Sequence, residues 1–300
     1  MICYNCNYHN PPGTEFCLNC GAPLEPVQKK MSESEENAIY NALGAAVFLP
    51  LFYYFMMIVV CVVWTIGFYD SLPASMSMGQ RADAYRAAFN EASTYINIVA
   101  VCVGLLFVAM FYFIRHRSLV DAANIRPVPP VKFGSAFICG MTLQVPVGIV
   151  LTMIPFSEEI VKNHDKVINS ATAPMWVQML YGVVIAPVVE EIFFRGIVHD
   201  RLSKVMALPF AVALSSIGFA LLHGELLSIL VAFACGVVLA LLYSRFDSIM
   251  VPIAFHIGFN LFSYAVPYLR DPVLVVATAI GSVALFIGSA YLLLKKDDNN

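Results

Sequence analysis

Residues Ala42–Thr65 read ALGAAVFLPLFYYFMMIVVCVVWT, a run with no charged side chain. About 20 consecutive apolar residues are enough for a helix to cross the hydrocarbon core of a bilayer. Pro272–Leu294 is a second run free of charge. The rest of the chain agrees with these two stretches. Hydrophobic residues make up 60% of the 300 positions and charged residues 12%, against roughly 25% charged in a soluble globular chain. Mean hydropathy is +0.77. The fold class expected is therefore an all-α polytopic membrane protein.

Working outward, apolar spans fall near 42–67, 94–114, 134–156, 175–199, 208–223, 226–244, 249–267 and 272–294. These eight predict a bundle of transmembrane helices over 41–296. Pro and Gly interrupt several spans, which membrane helices tolerate where neighbours satisfy the freed backbone groups. No internal repeat supports an inverted-repeat transporter. Orientation is read from Lys and Arg in the loops. With the N-terminus inside, the inner side receives Lys29, Lys30, Arg115, Arg117, Arg126, Lys132, Arg195, Arg201, Lys204, Arg245, Lys295 and Lys296. The outer side receives Arg81, Arg86, Lys162, Lys166 and Arg270, so the 17 basic residues divide 12 to 5. The expectation is a multi-pass protein of the cell membrane with both termini cytosolic and the first span as an uncleaved anchor. The net charge of -3 is small and no basic stretch suits nucleic acid.

Ahead of the spans lies different material. Residues 1–24 hold Cys3, Cys6, Cys17 and Cys20 as two C-x2-C pairs, and a polar linker follows over 25–40. A C-x2-C turn presents two thiolates to one ion, and Zn²⁺ takes four such ligands in a tetrahedron. Gly21 suits the tight turn after the second pair. The stretch resembles short zinc-ribbon modules and implies a structural Zn²⁺. Two disulfides are the alternative, disfavoured in the cytosol. Cys61, Cys102, Cys139 and Cys235 lie singly in apolar spans and read as packing residues.

Three spans carry ionisable residues, each of which costs about 2.5–3.5 kcal/mol in a membrane and marks function by default. The fourth contains Glu190-Glu191 and Arg195, the fifth ends at His223, and the seventh contains His256 and Asn260. Glu191 and Arg195 are i,i+4 and pair on one face. Glu190 lies about 100° round the helix, free to face a different cavity. Pro187, one turn earlier, loosens the helix. Counted from the cytosolic ends at 1.5 Å per residue, Glu190 and His223 lie about 21 Å deep, Asn260 about 20 Å and His256 about 14 Å. A buried carboxylate suits a general base. Glu190 beside His223 would deprotonate a water, with His256 and Asn260 as donors to an oxyanion. A His₂Glu site for a divalent metal, from Glu190, His223 and His256, is equally open.

EEIFFRG, SSIGFALLH and HIGFN resemble, in order, the three motifs of the CAAX protease and bacteriocin-processing (CPBP, or Abi) family: E-E-x-x-x-R, F-x-x-x-H and H-x-x-x-N. The resemblance covers roughly residues 170–268. It implies peptide-bond hydrolysis within the bilayer, on a membrane-associated protein or peptide substrate. Glu190 would be the catalytic glutamate, His223 its partner, and His256 and Asn260 the oxyanion site, with Glu191 and Arg195 at the remaining motif positions. Members are described both as metalloproteases and as metal-free glutamate–histidine enzymes. An ion-coupled transporter, a non-catalytic scaffold and a bacteriocin-immunity protein are the other readings of the same polar set.

Overall fold

The computed structural model describes residues 2, 3, 5–11, 14–24, 32–168, 172–265 and 271–295. Lys29, Lys30, Arg270 and Lys296, used above in the charge count, lie outside them. The chain divides into two units, Met1–Tyr40 and Asn41–Asn300. Among the described residues there is no β-strand; the first unit holds two isolated antiparallel bridges, Ile2 with His9 and Phe16 with Pro23.

The second unit is helical throughout. The described helices are α1 (Glu33–Ser71, which starts within the predicted linker, before Asn41), α2 (Met78–Ile114), α3 (Leu119–Ala122), α4 (Pro130–Met153) and α5 (Glu158–Ile168). After these come α6 (Met175–Ser203), α7 (Leu208–Leu221), α8 (Leu226–Phe246), α9 (Met250–Ser263) and α10 (Pro272–Leu294). Six of them are long and apolar enough to cross a membrane: α1, α2, α4, α6, α8 and α10. Helices α7 and α9 are apolar but have 14 residues each. At 1.5 Å per residue they reach about 21 Å, short of a hydrocarbon core about 30 Å thick. The eight apolar spans of the sequence thus correspond to eight apolar helices of two lengths.

Local chemistry sets several boundaries. Ser77 and Gln80 form a capping box at the start of α2, satisfying donors that a helix N-terminus leaves open. Pro130 and Pro272 occupy first-turn positions of α4 and α10, where a missing N–H does no harm. Asp271 caps α10 by accepting from the N–H groups of Val273 and Leu274. Helix α8 ends at Asp247, left-handed at φ 48. The Asn124 amide donates to the Asp247 carboxylate at 2.7 Å and to its carbonyl at 2.9 Å, and Arg126 pairs with the same carboxylate at 2.6 Å.

The contact that places α9 is backbone on backbone. A Cβ at Gly140 of α4 would stand 1.9 Å from the Phe255 carbonyl oxygen, and one at Gly258 of α9 would stand 2.1 Å from that of Phe137. Small residues let membrane helices approach this closely. With Gly140 of α4 and Gly258 of α9 each against the other helix, His256 is directed away from that contact and into the bundle.

Candidate active site and metal centre

Helix α6 does not keep one register. Wide π turns run over Leu180–Ile185 and Ile192–His199, and between them lies a short α-helical stretch, Ala186–Glu191. Such π turns are frequent at functional sites. Both carboxylates sit at the end of that stretch. The widened turns also compress the rise, so the depth counted along an ideal α-helix overstates how far Glu190 lies from Lys204.

Glu191 and Arg195 are fully buried and bonded, Arg195 Nη1 donating to Glu191 Oε1 at 2.9 Å. The same oxygen lies 3.0 Å from His256 Nδ1. An ionised carboxylate only accepts, so Nδ1 carries the proton and a neutral His256 presents a lone pair at Nε2. That nitrogen is 3.8 Å from Glu190 Oε2, whose side chain is 18% exposed. Glu190 therefore does not face a separate cavity. One imidazole stands between two residues 100° apart and meets both, one at each ring nitrogen.

His223 lies just beyond the end of α7, where its Nδ1 donates to the Phe219 carbonyl at 3.1 Å. Its Nε2 is thereby left as the acceptor in the neutral ring. Phe219 is the common platform. Its ring centroid is 4.9 Å from that of His223 and 5.7 Å from that of His256, and the Arg195 guanidinium sits over it at 4.4 Å. Arg195 Nη2 also reaches the Gly236 carbonyl on α8 at 3.2 Å. Among the described residues, Glu191 Oε2 and Arg195 Nε have no hydrogen-bond partner. Asn260 points elsewhere: its Nδ2 donates to the Gly182 carbonyl at 2.8 Å.

The sequence reading placed Phe219 in the F-x-x-x-H motif but gave it no role, although i,i+4 spacing to His223 puts both on one helix face. The short fifth span also allows a turn at His223-Gly224-Glu225, and the chain does turn there; the cap beyond it carried no signal. Gly224 takes φ +78, and Glu225 caps α8, accepting from the N–H groups of Leu227 at 2.9 Å and Ser228 at 2.6 Å. His164 of the amphipathic α5 binds the same carboxylate at 2.7 Å. Burial pushes the Glu225 carboxyl up, but hydrogen bonds from Ser228, His164 and Leu227 outweigh it and hold the group at about 2. The sign follows: a depressed carboxyl contributes stability above its ordinary pKa and loses it as pH falls through about 2.

The N-terminal cysteines gather as their spacing suggests. Ligand atoms of Cys3, Cys6, Cys17 and Cys20 all lie within 4.8 Å of one another, with Cys3–Cys20 and Cys6–Cys17 sulfurs 3.6 Å apart. A tetrahedron with metal–sulfur bonds of about 2.3 Å has edges of about 3.8 Å, so four thiolates fit one metal ion. Asn7 (φ 57) and Gly21 (φ 69) close the two knuckles, their N–H groups donating to the Cys3 and Cys17 carbonyls at 2.8 Å each. Burial pushes the Cys17 thiol up, but hydrogen bonds from the Asn10 side chain and the backbone of Cys20 and Asn19 bring it down to about 6. Among the described residues, no other group of three or more His, Cys, Asp or Glu gathers its ligand atoms so closely. Glu190, His223 and His256 are not such a set.

Residues 172–262 match the family described as type II CAAX prenyl endopeptidase Rce1-like. The membrane-embedded CAAX protease MroQ of Staphylococcus aureus (strain USA300) is 31% identical over 136 residues, covering 43% of this chain and 53% of that protein. The candidate membrane peptidase YdiL of Bacillus subtilis (strain 168) is 34% identical over 84 residues, 28% of this chain and 34% of that protein. The chain thus spans about half the length of the first relative and a third of the second. No solved structure matches at comparable stringency. Glu190, Glu191, Arg195, His223, His256 and Asn260 all fall inside the matched stretch, so the likeness to Rce1-like CAAX proteases over 172–262 includes every one of these residues.

Proposed function

We propose that the protein is an intramembrane endopeptidase acting on membrane-associated proteins or peptides. The observation that carries this reading is the buried chain Arg195–Glu191–His256, which ends on the Glu190 carboxylate 3.8 Å from His256 Nε2. A water hydrogen-bonded to both groups spans such a gap. Glu190 takes a proton from that water as its oxygen attacks the scissile carbonyl carbon. The tetrahedral intermediate then expels the amine, which receives the proton back from Glu190. Glu191 fixes the His256 tautomer and orientation, as a buried carboxylate does for the base of a catalytic triad. His223, with Nε2 as acceptor, stands on the same aromatic platform to receive a hydrogen bond from the N–H of the reacting bond. Glu190, His223 and His256 could offer O and N donors to a divalent metal, but they do not gather as closely as the cysteines, and no step is routed through an ion. Quantitative proteomics of host membranes, comparing wild type with Glu190→Ala, tests the activity. Uncleaved membrane polypeptides accumulate in the variant; identical membrane proteomes would remove the support for a protease.

The N-terminal module holds one structural Zn²⁺ on the cytosolic side, as the 12-to-5 distribution of basic residues supports. Full-length protein purified under reducing conditions carries one zinc per chain, and Cys17→Ser carries none. Elemental analysis finding no zinc, with the four cysteines oxidised in protein isolated without reductant, would place the module outside and invert the topology.

A further inference from the structure

Pro187 has no N–H to donate. In the wide turn before it, the N–H of Ala186 bonds to the carbonyl of Tyr181, five residues back. The next donor in that register would be residue 187, and its acceptor the carbonyl of Gly182. Proline leaves that carbonyl without its helical partner, in an environment where water does not replace it. The Gly182 carbonyl accepts instead from Asn260 Nδ2, across from α9, at 2.8 Å. One turn further along the same face, Tyr264 Oη donates to the carbonyl of Gln178 at 2.9 Å. A Cβ at Gly182 would meet that hydroxyl at 2.8 Å, so any larger residue there would have to displace the Tyr264 ring end.

We infer that Asn260 is a positioning residue which supplies the donor Pro187 lacks, and so fixes the wide turn that aims Glu190 and Glu191 at His256. This rests on the active-site reading above and reassigns Asn260 from oxyanion donor to brace. His256 lies one turn before Asn260 on α9, so imidazole and brace are carried by one rigid piece. If the brace is lost, α6 is free to return towards α-helical register, which turns both carboxylates about the helix axis.

A double-mutant cycle on the full chain in detergent micelles tests this. It comprises wild type, Asn260→Ala, Pro187→Ala and the double variant. Two measurements are made: thermal unfolding, and NMR of isotope-labelled histidine with His256 assigned. Asn260→Ala lowers the unfolding temperature and shifts the His256 ring resonances. Adding Pro187→Ala restores most of both, because the new N–H at 187 reaches the Gly182 carbonyl. Asn260→Leu, which keeps the shape but has no donor, repeats the pattern if the alanine variant fails to fold. Purely additive losses, with the resonances still displaced in the double variant, overturn the proposal. So does a fully stable Asn260→Ala with unshifted His256 resonances, since a residue that braces nothing leaves both unchanged. Neither measurement requires turnover, so the cycle stands or falls separately from the protease reading.

Discussion

Glu190→Gln yields a folded protein with almost no turnover. Glutamine keeps the size of the side chain and its place 3.8 Å from His256 Nε2, but it does not accept a proton from water. General-base catalysis contributes typically 10²–10⁴-fold, and a drop in kcat of that order is expected. KM should change little, because the amide occupies the same space. The assay uses purified protein, a substrate recovered from the membrane comparison, and circular dichroism with thermal unfolding to establish folding. Cleavage at the wild-type rate would exclude the mechanism, and the transport and scaffold readings would then move ahead of it.

Arg195→Met has the second large effect, on stability. Glu191 and Arg195 are both fully buried, and removing one partner of a buried ion pair costs about 3–5 kcal/mol by leaving the other charge unpaired. The cost here also includes the cation over Phe219 and the bond to the Gly236 carbonyl. Replacing both charges with apolar residues is often neutral for stability. The double variant Glu191→Met with Arg195→Met should therefore unfold at a higher temperature than Arg195→Met alone, regaining the share lost to the unpaired charge. It remains inactive, because His256 Nδ1 has lost the carboxylate that fixes its proton. Stability that returns in the double variant without activity separates the two jobs of Glu191. Should Arg195→Met alone unfold like wild type, the pair would not be the buried unit described here.

The helical membrane class, the eight apolar spans and the Glu191–Arg195 pair were legible in the sequence, because each rests on length, hydropathy or i,i+4 spacing. The four-cysteine cluster was legible for the same kind of reason: a short knuckle leaves its thiolates few other places to go. Glu190 was misread because helical angle says which way a residue points and nothing of what stands there; His256, brought in by α9, meets both carboxylates. The wide turns of α6 carry no periodic signal, and Pro187 announced a loosened helix without saying which carbonyl would be freed or that Asn260 would reach it. The Glu225 cap and its bond to His164 join residues 61 positions apart, beyond any local pattern.

Gly140 and Gly258 carry a consequence for how this chain can vary. A methyl group at either place would stand 1.9 or 2.1 Å from a backbone oxygen of the opposing helix. Neither atom can rotate aside as a flexible side chain would, so the two helices would have to separate. His256 is two residues from Gly258 and would shift with α9 relative to the carboxylate now 3.0 Å from its Nδ1. The smallest of substitutions, glycine to alanine, thus reaches the reaction centre from the far side of the bundle while touching none of its residues. At these two positions the protein has no neutral neighbours in sequence space.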